Sequence, residues 1–289
     1  MPPTQSRENR DQVPALARAI RIVDLLADAR GVAVPMSDIA RAIGAAKSST
    51  SYLCAALEDA RIIRRVETGY TLGPRTAEFG GAYIDGFNEV REFYRFCSTA
   101  PLLSQEVAQI AMLDGTDVVY LARHEGTAPL RLTANIGDRL PAAPTAVGNA
   151  LLAALPPEEI AVRFGTPGAL PRRTEQSVAS VVELLRKLAE VRERGYAVDE
   201  NEVHPGISGI AVRIPPRTTA APALAIGCSF ITEGGRRGVA RSHRGRAAPA
   251  AAPPDESHAA LPRLSRAAAR TRPRRSPGGG VVVLALCLR

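Results

Sequence analysis

Between Ala15 and Asp59 the apolar residues recur every three or four positions in three successive runs, and after Ala60 the spacing shortens to that of strands. In Ala15–Ala29, Leu16, Ile20, Val23 and Leu26 or Ala27 share one face, which predicts a helix burying that face. Gly31 stands where a left-handed residue ends such a helix. A short second helix follows, with Ser37 as its N-cap and Ile39, Ala40 and Ile43 as its stripe. Gly44 turns the chain into a third helix over 47–59, which buries Thr50, Leu53, Cys54 and Leu57. Ile62–Val66 and Tyr70–Leu72 read as strands around a hairpin turn at Glu67, Thr68 and Gly69. Three helices closed by a small hairpin predict a winged helix-turn-helix.

Gly73-Pro74 opens a connecting helix that runs to about Ile84 and is broken at Asp85-Gly86. From Asn88 the pattern changes: one helix over Glu89–Ser98, then strands at Val107–Leu113, Asp117–Arg123 and Leu130–Leu132. Thr145–Leu155 reads as a helix ended by Pro156-Pro157, and Val178–Arg194 as another stopped by Gly195. Strands are expected at Tyr196–Val198, Ser208–Ile214 and Ala223–Phe230. Helices mixed with a mostly antiparallel sheet make the chain α+β. The expected division is a winged helix-turn-helix over 12–74, a linker helix over 75–88, a sensor domain over 89–230 and a tail over 231–289.

The net charge of +8 invites a nucleic-acid reading, but its distribution does not support one. Residues 231–289 hold 12 Arg against 3 acids, or +9, which leaves 25 basic against 26 acidic residues, or −1, in 1–230. DNA binding therefore has to be argued from a motif. Four cysteines and four histidines are scattered without a CxxC pair or a ligand cluster, so no metal, no cofactor and a reducing cytoplasm are expected. No apolar run is long enough to span a membrane, and the polar, acid-bearing start does not read as a secretory signal. No Ser/His/Asp spacing or glycine-rich phosphate loop suggests an enzyme.

A DNA-reading helix needs an apolar inner face, short hydrogen-bonding side chains outside, and an N-terminus close to phosphate. The stretch from Ala46 to Tyr52 supplies all three: Lys47 for a phosphate, and Ser48, Ser49, Ser51 and Tyr52 for backbone oxygens or base edges. Ser37 begins the preceding helix, while Arg64 and Arg65 are wing residues for the backbone or minor groove. The plainer reading of Ser48 and Ser49 is that they cap an ordinary helix.

With these elements in place, the chain resembles the isocitrate-lyase-regulator (IclR) family of bacterial transcriptional regulators. The resemblance rests on Ala15–Ile20 through to Tyr70-Thr71-Leu72-Gly73-Pro74-Arg75, on Gly137–Pro141 with Thr145–Ala153, and on Arg192–Glu202 with Gly206–Ala211. It covers about 15–230 in matching order. It implies a GAF-like effector domain for small organic acids, aromatic or keto acids among them, and a homodimer or homotetramer on double-stranded operator DNA, as repressor or activator. By the same resemblance Ala146, Val147, Asp199, Ile207 and Gly209 line the effector site. A helix starting near Thr145 would suit a carboxylate, Asp199 could orient a hydroxyl or hydrated carbonyl, and Val147 and Ile207 would be apolar walls. Thr145 as a simple N-cap and Asp199 as a turn residue are the plainer alternatives. Ala143, Asn149 and Gly209 depart from the His, Lys and polar residue common in the family at these places.

Family members follow the last strand with an amphipathic helix, whereas 231–289 is rich in Arg, Ala, Pro and Gly. Low apolar content and high charge predict disorder there. A basic tail adding nonspecific DNA affinity is one reading. A frameshift in a GC-rich gene is the other, since composition changes where the helix is expected. A ligand-independent DNA binder, or a regulator inactivated by such a frameshift, are the alternative functions.

Overall fold

The computed structural model describes residues 13–99, 106–127, 134–216 and 221–231. They form two compact units, divided between Asn88 and Glu89. The expected strand at Leu130–Leu132 and nearly all of the tail lie outside the described residues.

The first unit contains α1 (Pro14–Asp28), α2 (Met36–Ile43), α3 (Lys47–Asp59), the hairpin β1 (Ile63–Val66) and β2 (Gly69–Leu72), and α4 (Arg75–Asp85). Ile22, Leu26, Ile39, Ile43, Cys54, Leu57, Ile63 and Tyr70 form its core. Each fully buried aliphatic side chain among them is worth about 1.5–3 kcal/mol of transfer free energy. The face of α1 differs from expectation. Leu16 and Ile20 are 58% and 53% exposed, and Ile22 and Leu26 are the buried pair. Positions two apart lie about 200° apart around a helix, so α1 carries two apolar stripes and only one faces this core.

Ser37 is not the N-cap of α2. Pro35 holds that position with extended backbone, and Ser37 lies one residue inside the helix, its hydroxyl 3.4 Å from Asp38 Oδ1. Proline fits there because a helix start leaves its first N–H groups unpaired. Gly44 makes the expected turn at φ 62°, ψ 41°. The hairpin has an anchor that periodicity did not reveal. Val34 and Tyr70 exchange two backbone hydrogen bonds of 2.9 Å, tying β2 to the residue pair that precedes α2. A Cβ on Gly69 would lie 2.2 Å from the Val34 carbonyl oxygen, so only glycine permits this approach.

The second unit begins with α5 (Asn88–Thr99), which buries Val90, Phe93 and Cys97. Its sheet comprises β3 (Val107–Asp114), β4 (Asp117–His124), β5 (Arg139–Pro141), β6 (Ala197–His204), β7 (Ile207–Ile214) and β8 (Leu224–Ile231). The spatial order is β5-β4-β3-β8-β7-β6, antiparallel throughout. Between β5 and β6 the chain forms α6 (Ala146–Leu152), α7 (Pro157–Phe164) and α8 (Val181–Arg194). The expected helix over Thr145–Leu155 is thus shorter, and Pro157 starts a helix rather than ending one. Proline at the first helical position costs no hydrogen bond, and Glu158 and Glu159 suit the first turn. From α8, Arg192 donates to the Ala153 and Leu155 carbonyls, satisfying oxygens freed where α6 stops.

All seven residues of α6 are buried. The helix packs on a sheet face of small side chains, Ala111, Ala197, Ala211 and Ala225, with α8 contributing Leu184, Leu188 and Val191. Small residues opposite a helix let its backbone approach the sheet closely. Gly148 allows a second close approach, to the connection between β5 and α6, where a Cβ would fall 2.1 Å from the Ala142 carbonyl oxygen.

Candidate functional site

In the first unit, α3 buries Thr50, Cys54 and Leu57, which turns the remainder of the helix outward. Lys47, Ser48, Ser49 and Ser51 are exposed, and Tyr52 is 80% exposed. Thr50 folds back to donate to the Ala46 carbonyl at 3.0 Å. Ala46 is the N-cap and no side chain caps this helix, so Ser48 and Ser49 are not spent on capping. Five polar side chains from consecutive turns therefore face outward on a rigid element. On the hairpin, Arg64 and Arg65 are adjacent strand residues and leave opposite faces. Arg64 Nε donates to Thr71 Oγ1 at 3.1 Å, whereas the Arg65 guanidinium lies 6.0 Å from the Tyr70 ring centroid. They do not form one basic patch.

In the second unit a cavity of about 210 Å³ opens between the sheet and the start of α6. Two rows of the sheet make its floor. Strand pairing sets Asp199, Gly209 and Ser229 side by side, and next to them Ala197, Ala211, Gly227 and Gln109. The two glycines let side chains close down on the sheet beside the cavity: a Cβ on Gly227 would meet Val147 Cγ1 at 2.7 Å, and one on Gly209 would lie 3.1 Å from Asp199 Oδ2. Ala146, Val147, Asp199, Ile207 and Gly209 all line this cavity. Thr145 is both N-cap and wall: its Oγ1 accepts from Gly148 N at 3.1 Å while the residue borders the cavity.

Gln109, Tyr120, Asp138 and His204 also line the cavity and were missed by motif reasoning. The available signal was polar residues at inward positions of otherwise apolar strands, Gln109 in β3 and Tyr120 in β4. Gln109 is held by donating Nε2–H to the Ala134 carbonyl at 2.6 Å.

Asp199 is 7% exposed, and its Oδ1 accepts from Glu202 N at 3.0 Å. Burial pushes its carboxyl up to about 7, with the Glu202 charge adding to the rise and the backbone hydrogen bonds opposing it. Asp199 thus both holds the backbone that follows it and lines the cavity. Just beyond it β6 bulges: the register breaks between Glu200 and His204, and Asn201 takes φ 61°. The bulge is pinned from outside, where Ser177 and Thr174 donate to the Glu202 carbonyl and Lys187 pairs with the Glu202 carboxylate. Burial, with Arg173 nearby, holds His204 below the usual histidine range. Among the described residues no group of three metal-ligating side chains converges.

Comparison with known proteins bears on both units. Residues 83–233 match the bacterial transcriptional regulator IclR C-terminal domain, and 15–67 match the IclR helix-turn-helix domain. The chain belongs to the IclR family. IclR-family relatives include the HTH-type transcriptional repressor AllR of Klebsiella pneumoniae, 30% identical, covering 68% of this chain and 72% of that protein. The HTH-type transcriptional regulator XynR of Escherichia coli is 30% identical, with 70% and 80% covered. An IclR homolog from Microbacterium hydrocarbonoxydans, solved in complex with 4-hydroxybenzoate, superposes with a TM-score of 0.65. It is 25% identical, with 76% of this chain and 90% of that one covered. The relatives are transcriptional regulators. No helix among the described residues is long and apolar enough to cross a membrane.

Proposed function

We propose that this IclR-family chain is an operator-binding regulator whose DNA affinity is set by a small organic acid, aromatic or keto, held in the cavity of its second unit. Lys47 meets phosphate, Ser48, Ser49, Ser51 and Tyr52 read backbone and base edges, and one of the two hairpin arginines follows the groove alongside. Ser37 stands exposed at the start of α2, within reach of a phosphate. Two copies place two such helices on half-sites of double-stranded DNA. The exposed Leu16 and Ile20 on α1 and Phe79 and Tyr83 on α4 supply apolar surface for self-association. An acid that prefers one arrangement of the pair shifts the population, and with it operator occupancy.

The observation that carries this reading is a buried carboxyl group, Asp199, lining a cavity at the start of α6, in a chain with an uncapped polar reading helix. The 4-hydroxybenzoate complex of the Microbacterium homolog supports an aromatic acid as one candidate. The test is a mobility-shift titration on DNA upstream of the protein's own gene, with candidate organic acids added. Preferential retention of that DNA over unrelated duplex, altered by at least one acid, is the expected result. Equal binding to all duplexes with no response to any acid would leave a ligand-independent DNA binder instead.

A further inference from the structure

The cavity poses an electrostatic problem for the ligand class just assigned. Among the described residues that line it, two carry carboxyl groups, Asp138 and Asp199, and none is lysine or arginine. An ionised acid entering here would be stripped of water beside Asp199 with no side-chain cation to meet it, a costly arrangement for two like charges.

The charged and titratable groups around Asp199 do not relieve the conflict. On β6 itself are Glu200, Glu202 and His204. The first two add negative charge, and His204 is held below its usual range and so is uncharged at neutrality. The cation from α8, Lys187, is committed to the Glu202 carboxylate on the outer side of the bulge. From β4 the Tyr120 phenol is pushed up by burial and stays neutral, and Asp138 stands before β5. The facing positions of β7 and α6, Gly209 and Ala146, carry no titratable group. Asp199 accepts from the Glu202 N–H at Oδ1 and is also met by the Val203 N–H, while Oδ2 lies over Gly209, 3.1 Å from where a Cβ there would stand.

We propose that the cavity takes an acidic ligand only together with one proton, shared between the ligand carboxyl and Oδ2 of Asp199, so that the regulator senses the acid and the hydrogen ion jointly. This rests on the reading of the cavity as an organic-acid site. Two carboxyl groups that share a proton form a short charge-assisted hydrogen bond, and the pair then carries one negative charge instead of two. Burial has already brought the Asp199 carboxyl to about 7 before any ligand arrives. Below neutrality the proton is in place. Above neutrality each binding event must draw one from solvent, so affinity falls as pH rises.

The full chain is titrated by calorimetry with matched acid and amide probes, 4-hydroxybenzoate with 4-hydroxybenzamide and pyruvate with pyruvamide, from pH 5.5 to 8.5. The expected result is an acid Kd that is level at low pH and rises about tenfold per unit above pH 7, with no such slope for the amide. Titrations at pH 8 in two buffers of different ionisation enthalpy should show uptake of one proton per acid bound. In Asp199→Asn, which keeps an acceptor for Glu202 N–H and offers a fixed donor, the acid's slope should vanish. Should that variant fail to fold, the buffer experiment is repeated on His204→Gln, since His204 also lines the cavity; uptake of one proton should persist there, and its loss would assign the proton to His204 and overturn the proposal. Acid binding that is level across the range, or that takes up no proton, would overturn the proposal. So would binding of amides without acids at every pH. If neither series binds, the acid-sensing reading itself fails and takes this inference with it.

Discussion

Helices α3 and α6 are each the functional candidate of their unit, and they solve opposite problems. α3 buries three residues and leaves a row of short polar groups facing outward, whereas every residue of α6 is buried. The first can act only on something that comes to it from outside. The second can act only by forming the wall of an enclosed space. A surface that reads DNA needs no cavity, and a cavity that admits a metabolite cannot spare surface.

The comparison can be broken most forcefully in the cores. Leu188→Ala should cost about 2–5 kcal/mol in the unit built on α6, and Leu26→Ala a similar amount in the unit built on α3. Urea unfolding followed by probes placed in each unit should show each substitution shifting its own unit's transition; a shared shift would mean the units do not unfold separately. At the next level, Tyr52→Ala or Ser51→Ala should change discrimination between operator and mutated operator by about 1–3 kcal/mol. Lys47→Ala should instead weaken binding to all sequences and reduce the salt slope by about one charge. Competition binding at several salt concentrations separates the two, and equal small effects from all three would displace the reading surface from α3.

Asp199→Asn sharpens the contrast from the other side. An acid whose folded-state pKa lies above its unfolded value loses stability as pH rises through the interval between them. The gap between this variant and the unaltered chain should therefore widen from about pH 4 to 7 and then level, reaching on the order of 4 kcal/mol in the variant's favour. Thermal melts across that range measure it. Thr145→Ala, which removes the α6 cap, should cost about 1 kcal/mol, visible in the same melts.

The two helices also differ in how far the sequence discloses them. α3 is legible because its exposed side lets apolar residues recur at helical spacing. α6 has no polar face, so periodicity is silent, and its end at Leu152 is set by what packs around it. The stripe on α1 misled for a related reason: Leu16 and Ile20 form as good a pattern as Ile22 and Leu26, and only the fold decides which is inside. Of the cavity, Asp199 and Gly209 came from family motifs. Gln109, Tyr120, Asp138 and His204 did not, because strand register, not nearness in the chain, brings them together. For the tail, reading the gene in the alternative frame after about codon 230 should yield an amphipathic helix if a frameshift produced it.

The paired bonds between Val34 and Tyr70 have a mechanical consequence. They fasten the hairpin to the chain just ahead of α2, and α2 in turn leads through Gly44 into α3. Helix and wing thus behave as the two jaws of a caliper locked at one opening. If α3 and the hairpin meet DNA as proposed, a duplex would be gauged for width before any base is read, and the glycine at position 69 is the screw that holds the setting.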